Sequence, residues 1–466
     1  MIEFLPLGKN VNLIKEYIET SPIKFCDISL GAKYLWREEF KIEYAIFNDT
    51  LILKETSRDY ENAFYFPMGK DVFGALSEIE NYTREKHIPL IFCCIDNDSC
   101  EMLSKRYREI EISNDRDWSD YIYLANSFKT YSGKKLSGQR NHVNKFKRNY
   151  PNYSFNVMAE SDANEVKGFL EEFNRGKDFS LWTERAEIEK LDDYVENAFS
   201  IGQVGGILRV SGKIVGITLG EIVGDTLIIH VEKALREFEG AYPTLASEFA
   251  KAVCLEKVKF INREEDCGDV GLRISKLQYH PIEIKQKNIV KVKTLISNIK
   301  TPFLITTERL SISEIEESDK GRFYELYMND DLNKYWGYDY REELNGETPS
   351  PDYFFRFQKK MKDTLEEFSF AIRENGVFVG ELVLHNFDHF GGLEIGYRFL
   401  ADSQRKGFAF ESASALIKYA KEELKANEIY TRCDKRNVPS HNLILKLGFK
   451  QYKENNTHFF FKQKLN

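Results

Sequence analysis

One short glycine-bearing segment has the composition of an anion-binding loop, and its six residues are Gln404, Arg405, Lys406, Gly407, Phe408 and Ala409. A strand-like run over residues 392–400 precedes this segment, and a helix-like run over residues 411–426 follows it. A loop that joins a strand to a helix N-terminus presents backbone N–H groups and about half a positive charge from the helix dipole. The segment therefore predicts a binding site for a diphosphate.

A second copy of this pattern lies in the middle of the chain. A strand-like run over residues 226–233 leads into a loop over residues 236–243 and a helix-like run over residues 244–254. This loop carries Glu237 and Glu239 where the first loop carries Arg405 and Lys406. Two carboxylates repel a diphosphate, and more strongly in a partly desolvated pocket. We therefore expect only the later loop to bind a diphosphate in the usual way.

A basic run over residues 134–148 contains six Lys or Arg residues, one His and no acid. On a helix, Lys145 and Arg148 share a face because they lie three positions apart, and Arg140 lies on the preceding turns. Contact with the phosphates of a nucleic acid is one interpretation. A solvated helix face in an otherwise acidic protein is the other.

His230 and Glu232 lie two residues apart on a predicted strand and therefore share one face. They could transfer a proton during catalysis, or they could form a buried, hydrogen-bonded pair. Further along, Asp266, Arg273 and Lys276 could clamp a carboxylate or a phosphate, or form ion pairs among themselves. The sequence leaves both questions open.

Aromatic residues are concentrated near position 336, where Trp336 and Tyr338 are two of four aromatic residues in six positions. Aromatic faces attract ammonium groups, so this segment is a candidate for recognition of an amine. Packing in the core is the alternative. His385 and His389 have no neighbouring metal-ligand pattern, and we predict no metal.

Composition indicates a multi-domain globular protein, with 466 residues, 42% hydrophobic residues and a net charge of −8. The sequence has no apolar run of about 18 residues and no signal-peptide pattern, so we expect no integral membrane contact. Seven scattered cysteines without a Cys-x-x-Cys pair favour a reducing cytoplasm over a disulfide framework.

Strand and helix patterns alternate throughout, which predicts mixed α/β (α+β) modules. Hairpin patterns around residues 205–221 and 370–384 precede the two loops and suggest the same fold twice. We place boundaries near residue 130 and between residues 290 and 302. The predicted modules are 1–130, 131–290 and 302–466.

Residues 302–466 resemble the GNAT acetyltransferase superfamily, in the branch that acetylates ribosomal-protein amino termini. The motifs are Gln404 to Ala409, Asn437 to Ser440, Lys446 to Phe449 and Thr306 to Leu310. The resemblance implies acetyl-CoA as the donor and the six-residue loop as its pyrophosphate site. It also implies that Asn437 bonds the pantetheine arm and that Ser440 approaches the sulfur.

The same resemblance suggests Glu394 as the carboxylate that draws a proton from the acceptor amine, with a surface glutamate as the alternative. The superfamily often uses a tyrosine as the general acid, but Ile444 occupies that position here. The general acid is therefore Ser440, water or a more distant tyrosine. Trp336 and Tyr338 lie where this superfamily often covers the acceptor.

Residues 1 to about 285 resemble the cytosolic catalytic domain of phosphatidylglycerol lysyltransferases. The matching segments are Lys134–Lys135, Arg140 to Arg148, Gly212 to Val215, His230 to Ala234, Gly240 to Tyr242, Ile261 to Asp266, and Gly271 to Lys276. That family consists of two tandem GNAT-like folds and transfers an aminoacyl group from tRNA. The resemblance implies aminoacyl-tRNA as a partner, with Arg140, Lys145 and Arg148 at the nucleic acid and His230, Glu232 and Arg273 at the substrate.

Together these features predict an acyltransferase made of three GNAT-like modules. The carboxy-terminal module is expected to N-acetylate a small amine or a protein amino group. Three alternatives stay open: a bifunctional enzyme, an aminoacyltransferase with a regulatory acetyl-CoA sensor, and a non-catalytic scaffold for tRNA or protein.

Overall fold

The computed structural model describes residues 2–57, 60–86, 88–175, 182–337, 339–344, 346–364 and 366–465. These residues form three mixed sheets with packed helices, which confirms the predicted fold class. The chain divides into two compact units, each described here by itself. Unit 1 comprises Met1–Tyr82, Pro89–Leu103 and Glu111–Lys291, and unit 2 comprises Thr83–Ile88, Ser104–Ile110 and Val292–Asn466.

The strands are numbered in chain order: β1 (Leu5–Pro6), β2 (Glu43–Phe47), β3 (Thr50–Glu55), β4 (Ala63–Phe64), β5 (Met68–Gly69), β6 (Ile91–Ile95), β7 (Ile110–Asn114), β8 (Asp120–Leu124), β9 (Tyr153–Val157), β10 (Val204–Val210), β11 (Lys213–Val223), β12 (Thr226–Ala234), β13 (Phe260–Asn262), β14 (Glu283–Lys285), β15 (Asn288–Val292), β16 (Leu304–Thr306), β17 (Leu310–Glu314), β18 (Phe368–Glu374), β19 (Val377–His385), β20 (Gly392–Phe399), β21 (Glu428–Asp434), β22 (Lys450–Glu454) and β23 (His458–Lys464).

The α-helices are α1 (Lys15–Thr20), α2 (Leu30–Trp36), α3 (Val72–Lys86), α4 (Asn97–Arg106), α5 (Ala125–Thr130), α6 (Ser137–Asn149), α7 (Ala163–Asn174), α8 (Trp182–Asn197), α9 (Ala241–Val253), α10 (Val270–Leu277), α11 (Lys320–Met328), α12 (Asp330–Asn333), α13 (Pro351–Asp363), α14 (Phe408–Glu422) and α15 (Val438–Lys446).

The first two sheets share the amino-terminal part of the chain and exchange strands near their boundaries. The first sheet has the order β1-β2-β3-β4-β6-β15-β7, with β5 beside β3. The second has the order β14-β8-β13-β12-β11-β10-β9. Strand β8 therefore joins the second sheet although it precedes residue 130, and β15 returns to pair with β6. The module boundaries stay a prediction.

The centre of the second sheet is the hairpin of β11 and β12, whose apolar residues are almost entirely buried. The register between the two strands shifts at Leu219 and Gly220, so that Val231 lies opposite Leu219 and Ile229 lies opposite Gly220. His230 is the additional residue of this β-bulge. Bulges re-aim side chains, and this one lies at the wall of a large cavity.

The third sheet has the order β16-β17-β18-β19-β20-β21-β23-β22. Helix α14 packs on one face with Phe408 and Leu416, and α11 and α13 belong to a second cluster that includes Ala371 and Phe378. Parallel strands β20 and β21 pair over Gly392–Glu394 and Glu428–Tyr430. Because β20 continues to Phe399 and β21 to Asp434, the two strands separate beyond this point and open a cleft.

Candidate active sites

The loop from Gln404 to Gly407 is exposed and leads into α14, for which Gly407 is the N-cap. Gly407 has φ +86°, a conformation that favours glycine. The side chain of Gln404 donates to the carbonyl of Phe399 at 3.1 Å and so ties the loop to the end of β20. The loop thus leaves the positive end of a 15-residue helix open to an anion.

Arg309, which we did not predict, lies beside this loop. Its guanidinium donates to the carbonyl oxygen of Lys406 at 3.0 Å and pairs with Glu411 at 2.7 Å. Glu411 also accepts from Thr307 at 2.6 Å. A carboxylate in the first turn of α14 is therefore neutralised, and a cation lies next to the loop. The sequence separation of about a hundred residues gives no local signal for this contact.

Tyr397 and Ser440 meet in the cleft between β20 and β21, with their hydroxyl oxygens 3.0 Å apart. Burial raises the pKa of Tyr397 to about 12, so the phenol is neutral at physiological pH. Asn437 caps α15 by accepting from the backbone N–H of Ser440 at 3.3 Å. The two candidate acids left open by the sequence, Ser440 and a distant tyrosine, are thus hydrogen-bonded to each other.

Glu394 lies on the opposite face of β20 from Tyr397, since side chains alternate along a strand. Its carboxylate accepts from Asn386 at 2.9 Å and lies 3.5 Å from Arg432. Half-buried Trp336 covers the same face, because a Cβ on Gly396 would lie 2.9 Å from its ring. Trp336 is therefore next to Glu394, whereas Tyr338 lies outside the described residues.

The loop of the middle module has the same backbone but a different environment. Gly240 is the N-cap of α9 with φ +89°. A Cβ on Gly240 would overlap the carbonyl oxygen of His142 and lie 3.0 Å from the Cβ of Phe146, both on α6. Helix α6 therefore packs directly against Gly240, whereas Arg236, Glu237 and Tyr242 beside it line a cavity.

Residues 137–148 of the basic run lie in α6, and three of the four Lys or Arg residues there have partners. Arg140 donates to the carbonyl oxygens of Tyr131 and Gly133. Lys145 pairs with Glu239 at 2.6 Å, and Lys147 with Glu248 at 2.8 Å. Arg148 is exposed. The arrangement favours a structural role for Arg140, and it leaves phosphate contact by Arg148 as a prediction.

Unit 1 contains a cavity of ≈1460 Å³ between its two sheets. Aromatic side chains follow one another along its wall, with ring centroids 5.7 Å apart for Trp36 and Phe40, 6.3 Å for Phe40 and Trp182, and 6.4 Å for Trp182 and Trp118. Among the described residues, twelve acidic and six basic side chains also line it. A cavity with this excess of carboxylates and aromatic faces suits a cationic ligand.

His230 lines this cavity with its imidazole held between two carboxylates. Its Nε2 lies 2.9 Å from Glu221 and its Nδ1 lies 2.6 Å from Glu264. Burial opposes the charge, but the hydrogen bonds to the two glutamates raise the pKa of His230 to about 10. With both ring nitrogens donating, the imidazolium has no free position at which to accept a proton.

Glu232 is not the partner of His230. It pairs instead with Arg263 at 2.7 Å, and the Arg263 guanidinium lies 4.6 Å from the ring centroid of Tyr279. A contact between His230 and Glu232 is therefore replaced by two pairs at His230 and one at Glu232. The bulge at His230 is the reason, and the sequence does not reveal it.

Arg273 is bound to the carboxylates of Asp266 and Asp117. Desolvation works against the charge of Asp266, but the bonds from Arg273 and Tyr121 lower its pKa to about 2. Arg273 therefore forms ion pairs, one of the two interpretations of the sequence.

A buried cluster of Cys26, Asp27, Asp120 and Glu265 has ligand atoms within 4.8 Å of one another. The ammonium group of Lys287 contacts all four residues, at 2.7 Å from Asp120 and 3.2 Å from the sulfur of Cys26. A lysine therefore supplies the cation that this cluster needs.

Two known protein families match the two parts of the chain described above. The family described as phosphatidylglycerol lysyltransferase, C-terminal, matches residues 22–290, more than half of the chain. The chain belongs to this family. The acetyltransferase (GNAT) domain family matches residues 309–450. The chain is thus an acyltransferase whose carboxy-terminal part is a GNAT N-acetyltransferase domain.

Relatives are known for both regions. A conserved protein of unknown function from Bacteroides thetaiotaomicron is 29% identical with a TM-score of 0.58, covering 63% of this chain and all of its own. The uncharacterized N-acetyltransferase YjdG of Bacillus subtilis is 33% identical over 116 residues, 23% of this chain and 69% of its own. YnaD of the same organism, also an uncharacterized N-acetyltransferase, is 29% identical over 147 residues, 32% of this chain and 82% of its own.

No helix among the described residues is long and apolar enough to cross a membrane.

Proposed function

We propose that residues 302–466 transfer an acetyl group from acetyl-CoA to the nitrogen of a small amine or of a protein amino terminus. The observation that carries this proposal is the open, cationic loop at Gly407 together with the groups on β20. Tyr397, hydrogen-bonded to Ser440, lies on one face of this strand, and Glu394 lies on the other. All seven cysteines are free thiols, which fits a reaction in the reducing cytoplasm.

The residues of the loop and of the cleft would hold the donor. Backbone N–H groups at the start of α14, with Arg405, Lys406 and Arg309 nearby, suit the diphosphate. Asn437 lies at the start of α15, where the cleft opens. Bound there, acetyl-CoA supplies the acetyl group as an activated thioester.

Proton transfer is assigned to two groups on opposite faces of β20. Glu394 accepts a proton from the acceptor ammonium, so that the nitrogen lone pair is free to attack. Ser440 donates its hydroxyl proton to the leaving sulfur, and Tyr397 replaces that proton through their hydrogen bond. The raised pKa of Tyr397 keeps its phenol neutral before the reaction, as this assignment requires.

Turnover of acetyl-CoA by the full-length protein tests this proposal, with thiol release measured across a panel of amines and peptides. Glu394→Gln should lower kcat/KM by about 10²- to 10⁴-fold, the range typical of a lost general base. Glu423→Gln, at an exposed position after α14, is the matched control and should leave it unchanged. Equal activity of the two variants would remove Glu394 from the mechanism, and no turnover with any acceptor would remove the proposed reaction.

We infer a second activity for unit 1, aminoacyl transfer from a charged tRNA, because its cavity suits a cationic aminoacyl group and the two glutamates of its loop disfavour coenzyme A. Filter retention of tRNA carrying a basic amino acid should exceed that of the deacylated tRNA. Arg148→Glu should weaken the retention of both, whereas Lys15→Glu, an exposed control on α1, should not. Equal retention of charged and uncharged tRNA would contradict recognition of the aminoacyl group.

A further inference from the structure

The third sheet continues past Glu394 into a face that carries basic and aromatic side chains. One row of paired residues contains Glu394 on β20, Tyr430 on β21, Lys462 on β23 and Lys450 on β22. Paired residues of neighbouring strands point to the same face of a sheet. Since strands lie about 4.8 Å apart, this row extends about 14 Å from Glu394 to the edge of the sheet at β22.

A second row of paired residues lies next to the first. Arg432 on β21 is opposite Phe460 on β23, and Phe460 is opposite Lys453 on β22. The ammonium group of Lys453 lies 5.6 Å from the ring centroid of Phe460. On the same face of β23, Lys464 is opposite Glu428. Cations and an aromatic ring therefore lie side by side across three strands.

Tyr452 belongs to this face because the register of β22 shifts beside it. The shift lies between Gln451 and Lys453, and Tyr452 is the additional residue. Its ring centroid lies 6.3 Å from that of Tyr430 and 5.5 Å from the ammonium group of Lys462. Tyr452 is 50% exposed. We call this surface the basic face, and it consists of Tyr430, Arg432, Lys450, Tyr452, Lys453, Phe460, Lys462 and Lys464.

Positive charge predominates on the basic face, which carries five Lys or Arg side chains. Two of them have carboxylate neighbours, with Lys462 at 3.2 Å from Glu428 and Arg432 at 3.5 Å from Glu394. The hydroxyl of Tyr430 also donates to Glu428 at 2.7 Å. These contacts hold two cations and one ring in place, and three lysines remain.

The three remaining lysines are Lys450, Lys453 and Lys464. All three are exposed, and none of them forms an ion pair within the part of the chain that the structure describes. Lys450 also lies directly opposite Lys462, and like charges at opposed positions of two strands destabilise a sheet. A bound polyanion would relieve this repulsion and neutralise the three lysines.

A single strand of RNA matches the chemistry of the basic face. The three lysines suit its phosphates, and the rings of Tyr452 and Phe460 offer faces on which bases can stack. Sheets with exposed aromatic and basic side chains bind single-stranded RNA in this way. The carboxylate of Glu428 can also accept from a ribose 2′-hydroxyl, a donor that DNA lacks. An acidic protein segment would use the lysines and leave the rings without a partner.

We propose that the basic face binds a single-stranded segment of RNA, with phosphates at the lysines of β22 and β23 and bases on Tyr452 and Phe460. The bound strand lies beside Glu394, the first residue of the row. This surface belongs to unit 2, so it is separate from the nucleic-acid contact predicted for Arg148 in unit 1. It also does not depend on the proposed acetyl transfer.

Fluorescence anisotropy of a labelled oligoribonucleotide of about eight nucleotides tests this surface in the full-length protein. Lys450→Glu combined with Lys453→Glu should weaken binding by about tenfold. The slope of log affinity against log salt concentration should become shallower by about 1.4, because each phosphate contact to a single strand contributes about 0.7. Lys359→Glu combined with Lys360→Glu, at two exposed positions on α13, is the matched control and should change neither quantity.

Two variants of Tyr452 test the stacking. Tyr452→Ala should weaken binding by about tenfold, within the range for one lost base stack. Tyr452→Phe keeps the ring and should bind as the wild type does. Because this side chain is half-exposed, both variants should fold. Ultraviolet cross-linking of the RNA, followed by mass spectrometry of the peptides, should place cross-links on β22 and β23.

Four results would overturn this inference. Unchanged affinity and salt dependence in the double lysine variant would remove the lysines from any RNA site. Cross-links confined to α6 would assign the RNA to unit 1. Equal affinity for DNA of the same sequence would reject the recognition of RNA. Binding of polyglutamate as tight as that of the oligoribonucleotide would show that the basic face accepts acidic protein segments instead.

Discussion

The loops at Gly240 and Gly407 have nearly the same backbone and opposite surroundings. Each glycine is a helix N-cap with a positive φ, +89° in the first and +86° in the second. Above Gly240 lies the backbone of α6, and above Gly407 lies only the end of the Arg309 side chain, 3.2 Å from a Cβ placed there. The comparison indicates that the same turn can be covered in one module and exposed in another, and we expect anion binding only at the exposed one.

The groups suited to proton transfer also differ between the two modules in how far their hydrogen-bonding positions are occupied. His230 is a charged imidazolium fixed by Glu221 and Glu264. Tyr397 and Ser440 form a neutral hydroxyl pair in an open cleft. In the middle module the imidazolium is thus fully engaged by carboxylates, whereas in the carboxy-terminal module the two hydroxyl groups bond only to each other.

Replacing Gly240 or Gly407 with alanine should give the largest difference between the two loops, measured as the loss in the free energy of unfolding. Gly240→Ala should lower the free energy of unfolding of unit 1 by about 2–4 kcal/mol, because the methyl group adds an overlap with α6 to the strain of a positive φ. Gly407→Ala should cost about 1 kcal/mol in unit 2, since its close neighbour within 4 Å is the end of one side chain and not a backbone. Urea unfolding followed by tryptophan fluorescence measures both.

Gly212→Ala provides the control, because Gly212 has φ +85° and no atom within 4 Å of a Cβ. It should cost about 1 kcal/mol, the strain of the backbone alone. Equal losses for Gly240→Ala and Gly212→Ala would mean that α6 does not close the middle loop.

The pH dependence of stability should reveal the imidazolium of His230. Its pKa is raised from 6.5 to about 10, so its contribution to stability is complete below pH 6.5 and is lost as the pH rises towards 10. The free energy of unfolding of unit 1 should therefore fall over this range, and His230→Gln should reduce that slope. NMR should find the His230 ring still protonated at pH 8, and a ring that is neutral at that pH would contradict the account.

Exchanging the loop charges should have the smallest effect. The variant with Glu237→Arg and Glu239→Lys copies the charges of Arg405 and Lys406 onto the middle loop. We expect no gain in acetyl-CoA binding by unit 1, because α6 still packs directly against Gly240. Calorimetry with acetyl-CoA is carried out on a protein that also carries Gly407→Glu, so that only the middle loop can bind. A new binding event in that protein would show that charge alone distinguishes the two loops.

Local patterns in the sequence predicted the hairpins and both loops. Alternating apolar residues around the turn at Ser211 and Gly212 correctly predicted β10 and β11, which pair across that turn. The helices predicted from residues 244 and 411 are present but begin three residues earlier, directly after Gly240 and Gly407, whose positive φ at the N-cap favours glycine. These features depend on a few neighbouring residues.

Contacts between distant segments could not be predicted in this way. Arg309 reaches a loop nearly one hundred residues away, and His230 finds its partners at Glu221 and Glu264 because a bulge re-aims its side chain. The sequence predicts that charge keeps a diphosphate away from the middle loop, and the packing of α6 against Gly240 adds a steric reason. Each of these contacts depends on how distant elements pack together, and local sequence patterns do not reveal that packing.

Titration calorimetry of acetyl-CoA into the full-length protein tests the central claim most directly. We predict one binding site per chain, abolished by Gly407→Glu, which places a carboxylate and a strained backbone in the open loop. Gly376→Glu, at a turn with φ +82° and no atom within 4 Å of a Cβ, should bind as the wild type does. An absence of binding to the wild-type protein, or full affinity in Gly407→Glu, would contradict the account.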